Sequence, residues 1–203
     1  PTVADMARAE LDEVLLGWAG LGYYARARNL HKCARVIVDE YGGQFPNHEA
    51  ELLKLPGIGR YTAAAISAIA FGRPAAVMDS NVERVMARLH SVLDPLPACK
   101  PILYSHVSDM TPTFRPGDYA QAVMDLGATV CTVRKPKCGL CPWIKRCQGK
   151  NMAEFIPLKG SKPQRQTRRG IAFWITNPAG AVLLRRRPEK GLLGGMMEVP
   201  STN

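Results

Sequence analysis

Four cysteines crowd one short stretch as Cys131-x6-Cys138-x2-Cys141-x5-Cys147, while Cys33 and Cys99 stand far from them. Four thiolates satisfy either one tetrahedral zinc or a [4Fe-4S] cube, and spacing alone leaves both open, with disulfides a further alternative. Common zinc sites pair two short chelate turns; here one Cys-x2-Cys turn is flanked by two longer loops. Lys135, Lys137, Lys145 and Arg146 line these loops. They read either as a solvated face offsetting the thiolates or, on a rigid loop, as phosphate contacts. A second group is Leu55-Pro56-Gly57-Ile58-Gly59, followed by Arg60 and Tyr61. Gly57 and Gly59 permit the close backbone approach that a phosphate needs, and the amides around them precede a helix, although an ordinary helix-helix turn would use them too. The third group is Asp79-Ser80-Asn81 with Glu83. Asp79 or Ser80 can cap a helix, and Ser80 with Glu83 reads as a capping box. A capping Asp near a positive helix end also suits a carboxylate that must face a developing cation.

The elements that position these groups read as short helices. Thr2 and Asp5 form a capping pair, and Leu11, Val14, Leu15 and Trp18 share a face ending near Gly20 and Gly22. Leu30, Ala34, Val38 and Tyr41 predict a helix from about 24 to 41, closed by Gly42 and Gly43. A polar helix near 48–53 meets the glycine hairpin, and an Ala-rich helix follows over 60–71. Asp79 opens a helix with apolar face Val82, Val85, Met86, Leu89 and Leu93, and two more are expected near 100–110 and 118–128. From 152 to 167 the composition is that of a linker. Beyond it, IAFWIT and AVLLR are apolar runs joined by Asn177-Pro178-Ala179-Gly180, a hairpin signal.

The 203 residues carry 27 Lys and Arg against 17 Asp and Glu, a formal charge of +10, which suits a polyanionic partner. Within 131–150 there are six basic residues and no acid, so the charge gathers around the cysteines. The clustered, unpaired pattern of the cysteines fits a reducing intracellular compartment, cytoplasm or nucleoid. No apolar stretch approaches the roughly 20 residues of a membrane span, and the first residues lack the pattern of a signal peptide. Neither a membrane partner nor an oligomer is expected.

A hairpin of the LPGIG kind, a Met-Asp helix start about 20 residues later and then C-x6-C-x2-C-x5-C resemble the iron-sulfur branch of the helix-hairpin-helix/Gly-Pro-Asp DNA glycosylase superfamily. GLGYYARARNLHK, GRYTAAAISAIAFG, MDSNVERVMAR and MDLGATVCTVRKPKCGLCP resemble its adenine DNA glycosylase (MutY) family in particular, over essentially all of 1–150. The resemblance implies a mainly α fold, the helix-hairpin-helix glycosylase fold with a [4Fe-4S] cluster loop, followed by the start of a β-containing Nudix-like domain. The expected division is 1–74 (helical, with the hairpin), 75–150 (helical, with the cluster), a linker at 151–167 and a partial Nudix-like domain at 168–203.

The resemblance implies excision of adenine mispaired with 8-oxoguanine or guanine in double-stranded DNA, the base being flipped out of the stack. It assigns Cys131, Cys138, Cys141 and Cys147 to the cluster and Asp79 to the cationic sugar. Asn81 would position the reacting groups, and Tyr23 would wedge beside the lesion. Arg28, Gly57, Gly59, Arg60, Lys135 and Lys137 would contact DNA. Members that also cut the backbone carry a lysine directly after the hairpin's Gly-Arg; Tyr61 here implies a monofunctional, water-using enzyme. Ser80 departs from the family's Asp-Gly-Asn. The family's proton-donating glutamate lies in an E-V-M-L-Q-Q-T-Q-like motif that this sequence does not contain. The chain is therefore expected to be a fragment open at both ends and inactive alone. A thymine or uracil mismatch glycosylase of the same superfamily, or a non-catalytic DNA-binding module, are the alternatives.

Overall fold

The computed structural model describes residues 2–161, 167, 169–188, 191 and 193–202. The chain forms two compact units. One joins residues 1–44 with 163–203; the other is 45–162. Residues 45–162 hold both the hairpin and the cluster loop.

The first unit is built on α1 (Val3–Arg8), α2 (Leu11–Gly17) and α3 (Ala25–Tyr41). Thr2 caps α1 reciprocally with Asp5: the Asp5 amide donates to Thr2 Oγ1 and the Thr2 amide to Asp5 Oδ2. On α3, Ala27, His31, Ala34 and Ile37 are buried at helical spacing, and Gly42 ends the helix with φ 60°, a left-handed cap that Gly adopts without strain. The tail adds β1 (Arg185–Arg186) and β2 (Met197–Glu198), paired antiparallel. Its expected hairpin is present at the turn, where Asn177 N donates to Ala181 O and Thr176 bridges Val182. Regular pairing is short, because the apolar side chains of Ile171, Phe173, Trp174 and Leu183 remain exposed and bury little against one another.

The second unit contains α4 (Glu49–Leu52), α5 (Arg60–Ala65), α6 (Ser80–Leu89), α7 (Lys100–Met110) and α8 (Pro116–Thr129). The α5 helix runs on as a π turn over Ile66–Ala70, so the expected helix at 60–71 changes its winding midway. There α8 comes close: a Cβ on Gly117 would lie 2.6 Å from the Ala68 carbonyl oxygen. Val82, Val85, Met86 and Leu89 of α6 form the core with Leu103 and Val107 of α7 and Val123 of α8. Leu93 was expected on this face but lies beyond the end of α6 and is exposed. The expected linker is packed at its start, where Ile156 joins the same core. Residues 162–166 of that linker, and 168, 189, 190, 192 and 203 of the tail, lie outside the described residues.

Candidate active site and cluster loop

The hairpin begins at buried Leu55 and turns at Gly57, whose φ of 76° excludes most side chains. Ile58 N closes the turn on Leu55 O, and Gly59 caps α5 in an extended conformation. Arg60 and Tyr61 therefore leave the hairpin on the first turn of α5, both exposed. The Tyr61 hydroxyl faces Met124 Sδ of α8 at 3.7 Å.

Asp79 is the N-cap of α6. Its Oδ1 accepts from the amides of Asn81 (2.9 Å) and Val82 (2.7 Å), and its Oδ2 accepts from Asn81 Nδ2 at 2.9 Å. Ser80 is thus the first helical residue, and the expected Ser80–Glu83 capping box is not formed. The Glu83 carboxylate is instead paired with Lys100 of α7 at 2.7 Å, because Asp79 one residue earlier has taken the free amides of the first turn.

Two arginines behind this pair tie it to the cysteines. Arg84 donates through Nη2 to Asn81 Oδ1 (2.9 Å) and Gly127 O (2.6 Å), and through Nε to Cys131 O (2.8 Å). The helices approach so closely here that a Cβ on Gly127 would stand 2.7 Å from Asn81 Cβ. Burial, then the neighbouring Arg88 cation, pulls the Arg84 pKa below its usual value, while Cys131 and Asp79 push it back. Arg88, only 2% exposed, donates to the carbonyls of Ile156, Thr132 and Val133 and to both the carbonyl and Sγ of Cys131, the last at 3.2 Å. The Arg88 carbonyl in turn accepts from Gly149 N (2.8 Å) and from Cys147 Sγ (3.4 Å). One residue of α6 therefore grips both ends of the cluster loop. Sequence reasoning missed these two residues. Their signal was present: two cations at i and i+4 interleaved with Val82, Val85, Met86 and Leu89 on an apolar face.

All four cluster cysteines are free thiols and half-buried. Burial pushes the Cys147 thiol up, the Gly149 amide bond draws it down, and Cys131, Cys141 and Cys138 push it up again. The other three cysteines all act on Cys147, so the four sulfurs share one neighbourhood, and thiolates gathered in that way need cationic metal to hold them. Among the described residues no three Cys, His, Asp or Glu side chains converge on a single ion. A four-iron cluster spreads its thiolates over four irons. The donor set and the Arg88 bond to Cys131 Sγ fit such a group. Lys135, with φ 49°, and Lys137 are exposed on the first loop, and Lys145 and Arg146 are exposed on the last.

The other two expected residues lie in the first unit. Tyr23 is 78% exposed with φ 47°, a left-handed conformation unusual for an aromatic residue, and the Arg26 guanidinium lies 5.3 Å from its ring centroid. Arg28, expected at a phosphate, is buried instead and donates to the Gly194 carbonyl. Its place on the inward stripe of α3 with Ala27 and His31 accounts for the difference.

The sequence profile of the HhH-GPD superfamily base excision DNA repair proteins matches residues 1–98, and that of the iron-sulfur binding domain of endonuclease III matches 131–147. A solved thermostable thymine-DNA glycosylase superposes with a TM-score of 0.66 at 31% identity, covering 74% of this chain and 70% of its own. Endonuclease III in a non-covalent DNA complex superposes at 0.63 with 29% identity, covering 74% of this chain and 70% of its own. The chain belongs to the HhH-GPD superfamily of base excision DNA repair proteins, in the branch whose four cysteines hold a [4Fe-4S] cluster. Among curated relatives it is similar to the adenine DNA glycosylases: 36% identical to that of Homo sapiens over 99% of this chain and 46% of the relative. It is 42% identical to that of Mycolicibacterium smegmatis over 73% of this chain and 50% of the relative. The chain spans about half the length of the curated relatives it matches.

Proposed function

We propose that this chain carries the sugar-facing half of an adenine DNA glycosylase that hydrolyses the N-glycosidic bond of adenine opposite 8-oxoguanine or guanine. The carrying observation is Asp79, fixed by three accepted hydrogen bonds at the start of α6, with Asn81 bonded to it and Arg84 bonded behind. Adenine is flipped out of the duplex, Tyr23 filling beside the lesion. As the bond to the sugar lengthens, Asp79 stabilises the developing oxocarbenium charge, and its rigid hydrogen bonds hold it there with little reorganisation. Asn81 orients the carboxylate through Nδ2, and water completes the hydrolysis.

Tyr61, at the family's lysine position, has no amine for a Schiff base, so the product is free adenine and an intact abasic site. The [4Fe-4S] cluster supplies structure, since base excision is not a redox reaction. Lys135, Lys137 and the Gly57-to-Gly59 hairpin meet phosphates and carry no sequence information. No described helix is long and apolar enough to cross a membrane. We read the protein as a monomer working on DNA in a reducing cytoplasm or nucleoid.

The testing experiment compares duplexes bearing A opposite 8-oxoguanine, A opposite G, G opposite T, and plain A·T. Adenine release from the first two, with strand breakage only after alkali, is expected from the full-length protein. The second reading, thymine excision from G·T, is the activity named for one similar solved structure and is the alternative that the assay separates. Activity confined to that duplex would replace the first. Efficient borohydride trapping with strand cleavage would overturn the monofunctional assignment.

A further inference from the structure

Arg60, the first residue of α5, lays its guanidinium over the ring of Tyr104 on α7, Cζ lying 3.8 Å from the ring centroid. Both residues border two open hollows, of about 470 Å³ and about 340 Å³. Among the described residues the Arg60 side chain makes no hydrogen bond and no ion pair. The carboxylate of the larger hollow, Glu83, is already paired with Lys100, and Glu49 borders the smaller one without ion-pairing to Arg60. The contact therefore restrains the guanidinium over the ring while pairing it with no hydrogen-bond acceptor.

That combination matters because the donors of a guanidinium lie in its plane. Stacking on an aromatic face restrains the plane and leaves the five N–H groups pointing outward, in the fork that matches two phosphate oxygens. An ion pair would have restrained the side chain and also occupied the fork. Arg60 follows directly on Gly57-Ile58-Gly59, where the two glycines carry no side chain and a DNA strand can come close to their backbone. We propose that Tyr104 is a positioning residue for DNA binding, holding Arg60 as a pre-oriented, sequence-independent clamp on a backbone phosphate of the duplex. This rests on the DNA-binding reading above and names a residue outside the hairpin as part of its grip.

The test is a double-mutant cycle on the affinity of the cluster-loaded chain for a fluorescein-labelled duplex bearing A opposite 8-oxoguanine, over a series of salt concentrations. Arg60→Ala is expected to reduce the slope of log K against log salt by about 0.9, the loss of one phosphate contact. Tyr104→Leu is expected to weaken binding roughly two- to fivefold in the wild-type background and to have no effect once Arg60 is Ala. Tyr104→Phe, which keeps the ring, should bind as wild type. Arg60→Lys, which keeps the charge but not the fork, should weaken binding at unchanged slope. A merely structural Tyr104 would weaken binding by the same factor in both backgrounds, and that outcome overturns the proposal, as does an unchanged slope for Arg60→Ala. Absence of any salt-dependent binding by the unmodified chain would instead sink the DNA-binding reading and the clamp with it.

Discussion

Arg84 and Asn81 are joined by a 2.9 Å hydrogen bond from Nη2 to Oδ1, while Arg84 Nε holds the carbonyl of Cys131 at 2.8 Å. Asn81 passes the restraint to Asp79 through Nδ2. The Asp79 carboxylate is thus connected by two side chains to the first residue of the cluster loop. Arg84→Gln is expected to lower single-turnover excision by the full-length protein by roughly 10- to 100-fold, the scale of a misplaced catalytic group. Duplex affinity should change much less, because Arg84 meets no phosphate. The same change leaves the carbonyls of Gly127 and Cys131 without donors and should cost about 2–4 kcal/mol of stability. Equal losses in affinity and excision would remove the positioning role.

Arg88 makes the cluster loop an extension of α6. Anaerobically purified protein is expected to be brown and to hold about four irons, by the stoichiometry of such a cluster. Cys147→Ser should lose iron and colour and free the loop end that Gly149 N and Cys147 Sγ anchor on the Arg88 carbonyl. Binding should then weaken and lose part of its salt dependence, because Lys145 and Arg146 sit on that loop. Stoichiometric zinc in a colourless protein would defeat the assignment.

The parts legible in the sequence are those where local chemistry and tertiary packing agree. Thr2 with Asp5 caps α1 as expected, Gly42 ends α3, and α7 runs from Lys100 to Met110 within the predicted span. The cysteines were legible because ligand spacing is local. What was not legible depends on partners distant in sequence. Glu83 fitted a capping box until Asp79 took the first-turn amides and Lys100 arrived from α7. Arg28 looked like a surface cation until Gly194 offered a carbonyl from the tail. The π turn at Ile66–Ala70 faces Gly117, a contact across almost fifty residues that periodicity cannot show. Arg84 and Arg88 were hidden for the same reason, since their acceptors lie more than forty residues onward.

His90 closes α6 with its ring stacked on His106 of α7, centroids 3.8 Å apart and planes within 2°. Its Nε2 is buried without a hydrogen-bond partner among the described residues. Burial first, and His106 second, pull its pKa below the usual 6.5. The unfolded chain therefore takes up a proton near pH 6.5 where the fold resists it. Stability from this group is full above about pH 6.5 and is lost as pH falls through the lower folded value. Melting followed by circular dichroism should show Tm falling by a few degrees between about pH 7.5 and 5.5. His90→Phe, which keeps a stacked ring and cannot be protonated, should flatten that dependence. An identical pH profile in the variant would assign the loss to other groups.

Excision also needs a proton for the departing adenine, and the arrangement of carboxylates in this chain bears on where it comes from. Asp79 accepts three hydrogen bonds, so both of its carboxylate oxygens are already engaged as acceptors. Glu83 is held by Lys100, and Asp125 lies exposed on α8, next in sequence to the Met124 that Tyr61 faces. On the proposed reading Asp79 supplies charge stabilisation, while none of Asp79, Glu83 and Asp125 is placed to supply the general acid catalysis that is worth roughly 10² to 10⁴ in rate. The 203-residue chain is expected to bind an A·8-oxoguanine duplex with strong salt dependence yet excise adenine slowly. A polypeptide extended upstream to supply a carboxylic acid should bind similarly and excise roughly 10² to 10⁴ times faster. Single-turnover assays of the two proteins side by side decide the matter. Equal rates would place the acid within these residues, with Asp125→Asn the first substitution to make.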